Sequence, residues 1–360
     1  MPTDPLCAVL LRAASPFYFS LELPLRRAGY FELNDFGQYT DAVRGARVTF
    51  LKSAPSSHDW GVKSLALNRT ILQFGTDGGP GIAHGVTDPN FTTLIVQSSN
   101  FDDRVVLDGV PCQASDLVIF PPNCHFTFVR SGHVEWVAWS LPNEESIARN
   151  MLSAATTQAS PKTAKHLVRL PEPIKSKLIE VSRQALRSFS DSAFADRPMM
   201  AREAEDALMD QLACIRDNRL SQSFLPNKYT LSYERIVLEA LEFVGTRSES
   251  IVHIKDIVKA TKVEYRTLLR AFERYLGFSP KLYLRLRQLN LVYHEISRDN
   301  GASVGVVDIL SAHGVTEFGR FAGHYRSLFG ELPSETYRRS RALRSGNVPG
   351  PRSGVLVQHR

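Results

Sequence analysis

The 360-residue chain predicts an α+β protein: a β-rich N-terminal half, a helical connector, and an all-α C-terminal domain built on one helix-turn-helix motif used twice. Three observations predict it. Short β-branched and aromatic runs broken by Gly, Asn, Asp and Pro fill residues 46–140, the apolar spacing turns helical from Pro142 onward, and one pattern of apolar, Gly and Pro positions recurs near the C-terminus. A chain this long needs more than one core, and 43% hydrophobic with 22% charged residues is the balance of a folded, globular protein.

The strand signals are RVTFLK (47–52), VKSLAL (62–67), TILQFG (70–75), TTLIVQ (92–97), DLVIFPP (116–122), HFTFV (125–129) and VEWVAWS (134–140). Many short strands with turn residues between them read as an antiparallel barrel or sandwich. This β-rich part is taken as residues 1–145 and the connector as 146–220. Within the connector, Ile174, Leu178, Val181 and Leu186, then Ala204, Leu208, Leu212 and Ile215, fall at helical spacing. Such helices either cover the barrel or pair two chains. Residues 221–230, with Pro226 and Asn227, read as a linker, the helical domain takes residues 231–340, and 341–360, rich in Arg, Ser, Gly and Pro, read as a disordered tail.

Cys7, Cys112, Cys124 and Cys214 form no CxxC pair, so neither a zinc knuckle nor a disulfide framework is expected. The apolar run from Leu6 to Leu11 is short for a signal core, and no window approaches the roughly 20 apolar residues of a membrane span. The expectation is a cytoplasmic protein with no membrane partner.

The formal charge of +6 is unevenly placed. Residues 231–345 hold 18 Lys and Arg against 13 Asp and Glu, a net of +5, whereas residues 1–230 hold 23 against 24. The basic excess belongs to the helical domain, where it favours phosphates.

The repeat lies in that domain. Ile257, Ala260 and Val263 recur 52 positions later as Ile309, Ala312 and Val315. Thereafter the offset is 53: Leu268, Phe272, Leu276, Gly277 and Pro280 meet Phe321, Tyr325, Phe329, Gly330 and Pro333. In the first copy Ile254, Ile257 and Val258 face inward and the turn falls at Lys262 and Val263. A second helix from Glu264 to Leu276 then buries Leu268, Leu269, Phe272 and Leu276 and exposes Arg266 and Arg270 on one face. In the second copy the first helix spans Val304 to Ala312, Gly314 supplies a positive-φ turn and Thr316 caps the next helix. That helix buries Phe318, Phe321, Tyr325 and Phe329 and leaves Glu317, Arg320 and His324 outside. Between the copies, Ser279 and Pro280 start a long helix to about Ser297 that fixes their spacing. A helix exposing arginines suits the major groove, because Arg can donate two hydrogen bonds to guanine, and two units on one stiff helix suit successive groove segments.

The runs YRTLLRAFERYLGFSPKLYLRLRQL (265–289) and VVDILSAHGVTEFGRFAGHYRSLFGELPSETYRR (306–339) resemble the DNA-binding domain of AraC/XylS regulators. The second is particularly similar to the branch containing the ethanolamine-utilisation regulator. The resemblance implies seven helices, double-stranded DNA as partner, and base contacts from the early exposed positions of each second helix. Here those are Arg266, Thr267 and Arg270, with Arg274 a turn further on, and Thr316, Glu317, Phe318, Gly319, Arg320 and Ala322 in the second unit. The second unit departs from the family pattern at Val315, where Phe is usual, and at Gly323, where Arg is frequent. That shifts base readout toward the first unit and leaves the second to hold the backbone.

By position and strand pattern the β-rich half resembles the cupin-like effector barrel common in that family, which implies a small organic effector, a homodimer and RNA polymerase as a further partner. His58, His84, His125 and His133 are scattered with no HxH, so neither a metal nor another cofactor is expected. Trp60, Phe74, Trp136 and Trp139 are the candidates to line an apolar effector pocket, although strand aromatics serve equally as core. The rival is a cupin-type enzyme with the helical domain as an appendage. It lacks a GxSxG, HExxH, Walker or dinucleotide motif, and no catalytic residue is assigned. A structural DNA binder of the nucleoid type fits poorly with the large, near-neutral N-terminal half. The expected function is that of a sequence-specific transcription regulator responding to a small-molecule effector, described as an activator with repression left open.

Overall fold

The structure, a computed structural model, describes residues 29–33, 36–99, 104–144, 165–191, 197–217, 221–222, 228–247, 251–298 and 304–344. These fall into two compact units that part between Leu225 and Pro226.

The first unit is built on two antiparallel sheets. One runs in the order β1 (Gly29–Leu33), β3 (Gly61–Ala66), β4 (Ile71–Asp77), β11 (Val134–Pro142), β6 (Phe91–Gln97), β9 (Asp116–Phe120), β12 (His166–Arg169), β13 (Ser221–Gln222). The other runs β2 (Ala46–Lys52), β5 (Gly81–Thr87), β10 (His125–Arg130), β7 (Val105–Leu107), β8 (Val110–Cys112). All seven sequence-predicted runs form strands. The expected closed barrel does not form: among the described residues the strands make two separate sheets, and one edge of each is poorly suited to further pairing. Strand β8 contains Pro111, which has no N–H to donate, and β13 has only two residues. Strand β5 escapes a simple reading because its residues Gly81, Ala83 and Gly85 are small where the neighbouring strands carry Lys52, Phe50, Arg130 and Phe128. Those strands approach closely there, and a Cβ on Gly85 would sit 2.0 Å from the carbonyl oxygen of Arg47.

Alternation divides the eight-stranded sheet into two faces. Leu72, Val137, Trp139, Leu94 and Ile119 lie on one, and that face is covered by α2 (Glu172–Asp191) and α3 (Arg197–Asp217), which bury Leu178, Phe189, Leu208 and Leu212 against it. The predicted connector helices are thus part of the first unit's core, as is β12 before them. Toward the other sheet, a short helix α1 (Phe36–Ala42) brings Tyr39 between the sheets, where its ring meets Phe50 and Trp60 edge-on.

The second unit contains, among the described residues, seven helices: α4 (Lys228–Gly245), α5 (Ile254–Thr261), α6 (Tyr265–Leu276), α7 (Pro280–Arg298), α8 (Val306–Ala312), α9 (Phe318–Phe329) and α10 (Pro333–Arg344). The linker expected over 221–230 is shorter than the sequence suggests, because Ser221 and Gln222 pair with β12 and α4 begins at Lys228. The expected tail begins later as well, since α10 runs to Arg344; residues beyond it lie outside those described.

Candidate nucleic-acid interface

The two helix-turn-helix units share their backbone devices. Asp256 accepts the His253 backbone N–H at 3.0 Å and Asp308 accepts that of Gly305 at 3.1 Å, so each first helix starts with an equivalent acidic cap. The turn after α5 places Lys262 in the left-handed region at φ 53°, and the turn after α8 places Gly314 there at φ 70°. Helices α6 and α9 both end on a left-handed glycine, Gly277 and Gly330, whose N–H groups donate to the carbonyls of Glu273 and Arg326. The change of offset from 52 to 53 falls between Val315 and Glu317, so Thr316 is the extra residue of the second turn. It therefore does not cap α9 as expected: Glu317 holds the N-cap position, without a side-chain hydrogen bond.

Packing fixes which faces remain outside. Leu268, Ala271, Phe272, Tyr275 and Leu276 of α6 are buried, with Phe272 edge-on to Tyr283 of α7 at 5.8 Å. Leu269, Ile254 and Val258, expected inside, are half-buried beside the fully buried Ile257. In α9, Phe321, Tyr325 and Leu328 are buried, and Tyr325 donates its hydroxyl to Thr336 of α10 at 3.0 Å. Phe329 is half-buried and stacks on Tyr293 of α7 at 4.4 Å. Helix α7 thus holds one unit through Tyr283 and the other through Tyr293. At 1.5 Å per residue its 19 residues extend about 28 Å. Its Gln288 also donates to the His313 carbonyl at 2.8 Å, tying it to the second turn.

The expected base-contacting residues fall on two unlike faces. Arg266, Arg270 and Arg274 are exposed on α6 at four-residue spacing and, among the described residues, make no ion pair; Thr267 is half-buried beside them. On α9, Thr316, Glu317, Gly319 and Arg320 are exposed and Ala322 is half-buried. Arg320 Nη1 lies 3.3 Å from Glu317 Oε2, so its charge is shared within the turn. Phe318 is a correction: expected inside, it is 40% exposed, because as the first residue of α9 it precedes the stripe that turns toward α7. Its counterpart Tyr265 is 47% exposed, a feature the sequence pattern did not single out. Matching aromatics at the first position of both copies were the available signal.

The four candidate effector residues separate by strand register. Trp60 and Trp136 face the space between the sheets. Trp60 Nε1 donates to Ser56 Oγ at 2.7 Å, and Trp136 Nε1 lies 3.1 Å from both Tyr39 Oη and Asp77 Oδ1. The Tyr39 hydroxyl also donates to Asp77, and Arg130 Nε sits 2.5 Å from its other oxygen, with the guanidinium over Phe50 and Phe128. Burial and the neighbouring Asp77 carboxylate push the Tyr39 phenol well above its ordinary range, so it stays a neutral donor. Phe74 and Trp139 point the other way, into the core under α2 and α3, where Trp139 Nε1 donates to Ser182 Oγ at 3.0 Å. A single pocket lined by all four is therefore not formed. His58 and His133 stack at 4.0 Å, and among the described residues no group of three or more His, Cys, Asp or Glu converges as a metal site. No described helix is long and apolar enough to cross a membrane.

Residues 257–339 match the family model of a helix-turn-helix domain. The chain is 33% identical over 108 residues to the XylDLEGF operon transcriptional activator 3 of Pseudomonas putida, covering 30% of this chain and 31% of that protein. It is 26% identical over 149 residues to the probable thc operon regulatory protein of Rhodococcus erythropolis, covering 41% and 44%. The chain thus matches less than a third of the first relative's length and less than half of the second's. Among solved structures, the AraC-like transcriptional activator CuxR aligns with 74% of this chain and 96% of its own at 11% identity and a TM-score of 0.38. ToxT from Vibrio cholerae aligns with 87% and 97% at 10% identity and 0.29.

Proposed function

We propose that the C-terminal double helix-turn-helix is of the AraC/XylS type, and that the chain is a cytoplasmic transcription regulator that binds duplex DNA and answers to a small organic effector. The observation that supports this best is the repeat: two units of equivalent backbone, spaced by one helix, the first presenting Arg266, Arg270 and Arg274 on one exposed face with no ion pair among the described residues. A helix of that shape enters the major groove, and arginine reads guanine there. The effector is assigned to the first unit, near the cluster of Trp60, Trp136, Tyr39, Asp77 and Arg130 between the sheets. Phe74 and Trp139 are assigned to packing. A second copy of the chain and RNA polymerase are further partners carried over from the family resemblance, and no enzymatic step is assigned.

The test is selection of duplexes from a random pool by the full chain, followed by affinity for the selected duplex at rising salt. Each phosphate neutralised by Lys or Arg releases condensed counterions, so log affinity should fall with log salt at a slope near 0.9 per phosphate contact. A folded chain that enriches no duplex, or binds independently of salt, would overturn the proposal. Light scattering of the chain with and without the selected duplex tests pairing of two copies.

A further inference from the structure

The two copies differ where they face outward. With Thr316 set aside as the extra turn residue, Tyr265 aligns with Phe318, Arg266 with Gly319, Arg270 with Gly323 and Arg274 with Ser327. The three arginines occupy the middle of the exposed face of α6; the two glycines and the serine occupy the same places on α9 and are exposed as well. The fold does not demand those glycines. Both lie on helical backbone, where glycine is unfavourable, and a Cβ on either would meet nothing within 4 Å. What α9 does present is Phe318, 40% exposed, next to an Arg320 that Glu317 already engages at 3.3 Å.

Resting on the duplex-binding function above, we propose that the two units read unlike bases: α6 reads guanine through Arg266 and Arg270, and α9 reads thymine through contact of Phe318 with the 5-methyl group. Guanine offers two acceptors in the major groove, which the arginine fork matches. Residues 319 and 323 have no side chain that could do so. A phenyl ring has no hydrogen bond to give, and the apolar group it meets in that groove is the thymine methyl. The bare Gly319 and Gly323 put no side chain in the way of that contact. The target is therefore directional, with a guanine-bearing half under α6 and a thymine-bearing half under α9.

The experiment uses the full chain and the duplex it selects from a random pool. Loss of guanine preference in Arg270→Ala identifies the half under α6. Thymines in the other half are then replaced by deoxyuridine, which removes the methyl group alone. Affinity should fall about fourfold for a single buried methyl, the equivalent of roughly 0.8 kcal/mol, and Phe318→Ala should be insensitive to the replacement. Gly323→Arg, which the open space admits, should bring guanine into the second half on repeat selection. The proposal is overturned if the wild-type chain selects guanine in both halves, if deoxyuridine leaves its affinity unchanged, or if Phe318→Ala is weakened equally by it. Should Phe318→Ala fail to fold, Phe318→Gln at the same exposed position takes its place, and the deoxyuridine test on the wild-type chain stands unchanged. Failure of the wild-type chain to bind any duplex would instead remove the function on which the proposal stands.

Discussion

At the left-handed turn of each helix-turn-helix unit, one position is filled in two ways. Lys262 occupies it in the first copy and Gly314 in the second. A side chain in this region costs roughly 1–2 kcal/mol, which the first copy tolerates. The second cannot add one so easily, since a Cβ on Gly314 would come within 2.3 Å of the Ile251 side chain. Gly314→Ala should therefore lower unfolding stability by about 1–2 kcal/mol from backbone strain, with the Ile251 contact adding to it. Urea denaturation of the full chain, read by tryptophan-independent circular dichroism, checks this, and a neutral substitution would show that the turn relaxes. The glycine is legible in the sequence as a turn residue suited to positive φ, whereas the Ile251 contact that excludes a side chain there is not. Nor is Phe318: helical spacing marks an apolar residue as core, and only the observed start of α9 shows that it lies ahead of the buried stripe.

Among elements, those with local signals were read well and those joined over long sequence distances were not. Helix α7 follows from Ser279 and Pro280, whose cap is present as a 3.3 Å bond from the Leu282 N–H to Ser279 Oγ. Strand β12 carries no such local signal; it is a strand because His166 to Arg169 pair with β9. That pairing buries His166, and burial lowers its pKa below the ordinary 6.5. The folded chain then resists a proton that the unfolded chain accepts. The resulting stability is fully present above pH 6.5 and is lost as pH falls through the unfolded and then the folded value. Thermal melts from about pH 7.5 to about pH 5.5, a span around the ordinary histidine value of about 6.5, should show less acid destabilisation in His166→Gln than in the wild type. Identical slopes would remove His166 as a cause. The same long-range logic governs closure of the sheets, which depends on pairing between strands far apart in the chain and is specified by no local pattern.

On the scale of the whole molecule, the proposed effector and the proposed duplex must be coupled reciprocally if one acts through the other. A compound that changes affinity for the selected duplex by some factor must have its own affinity changed by that same factor when the duplex is present. Screening amines, aromatic acids and sugars for thermal stabilisation of the full chain, then titrating each hit with and without duplex, should reveal such a compound. A hit with equal affinity in both titrations does not act as an equilibrium effector. The open sheets of the first unit carry a different consequence. A ring of strands has no ends, whereas two separate sheets have edges, and among the described residues the five-stranded sheet ends on β2, seven residues long, and on β8. Edge backbone invites a foreign strand to add itself, the first step of aggregation. The exposed Arg47 on β2, the three-residue length of β8 and its Pro111 are the features natural sheets use against such addition. The solubility of this chain at high concentration thus depends on how its sheets end as much as on what its surface carries.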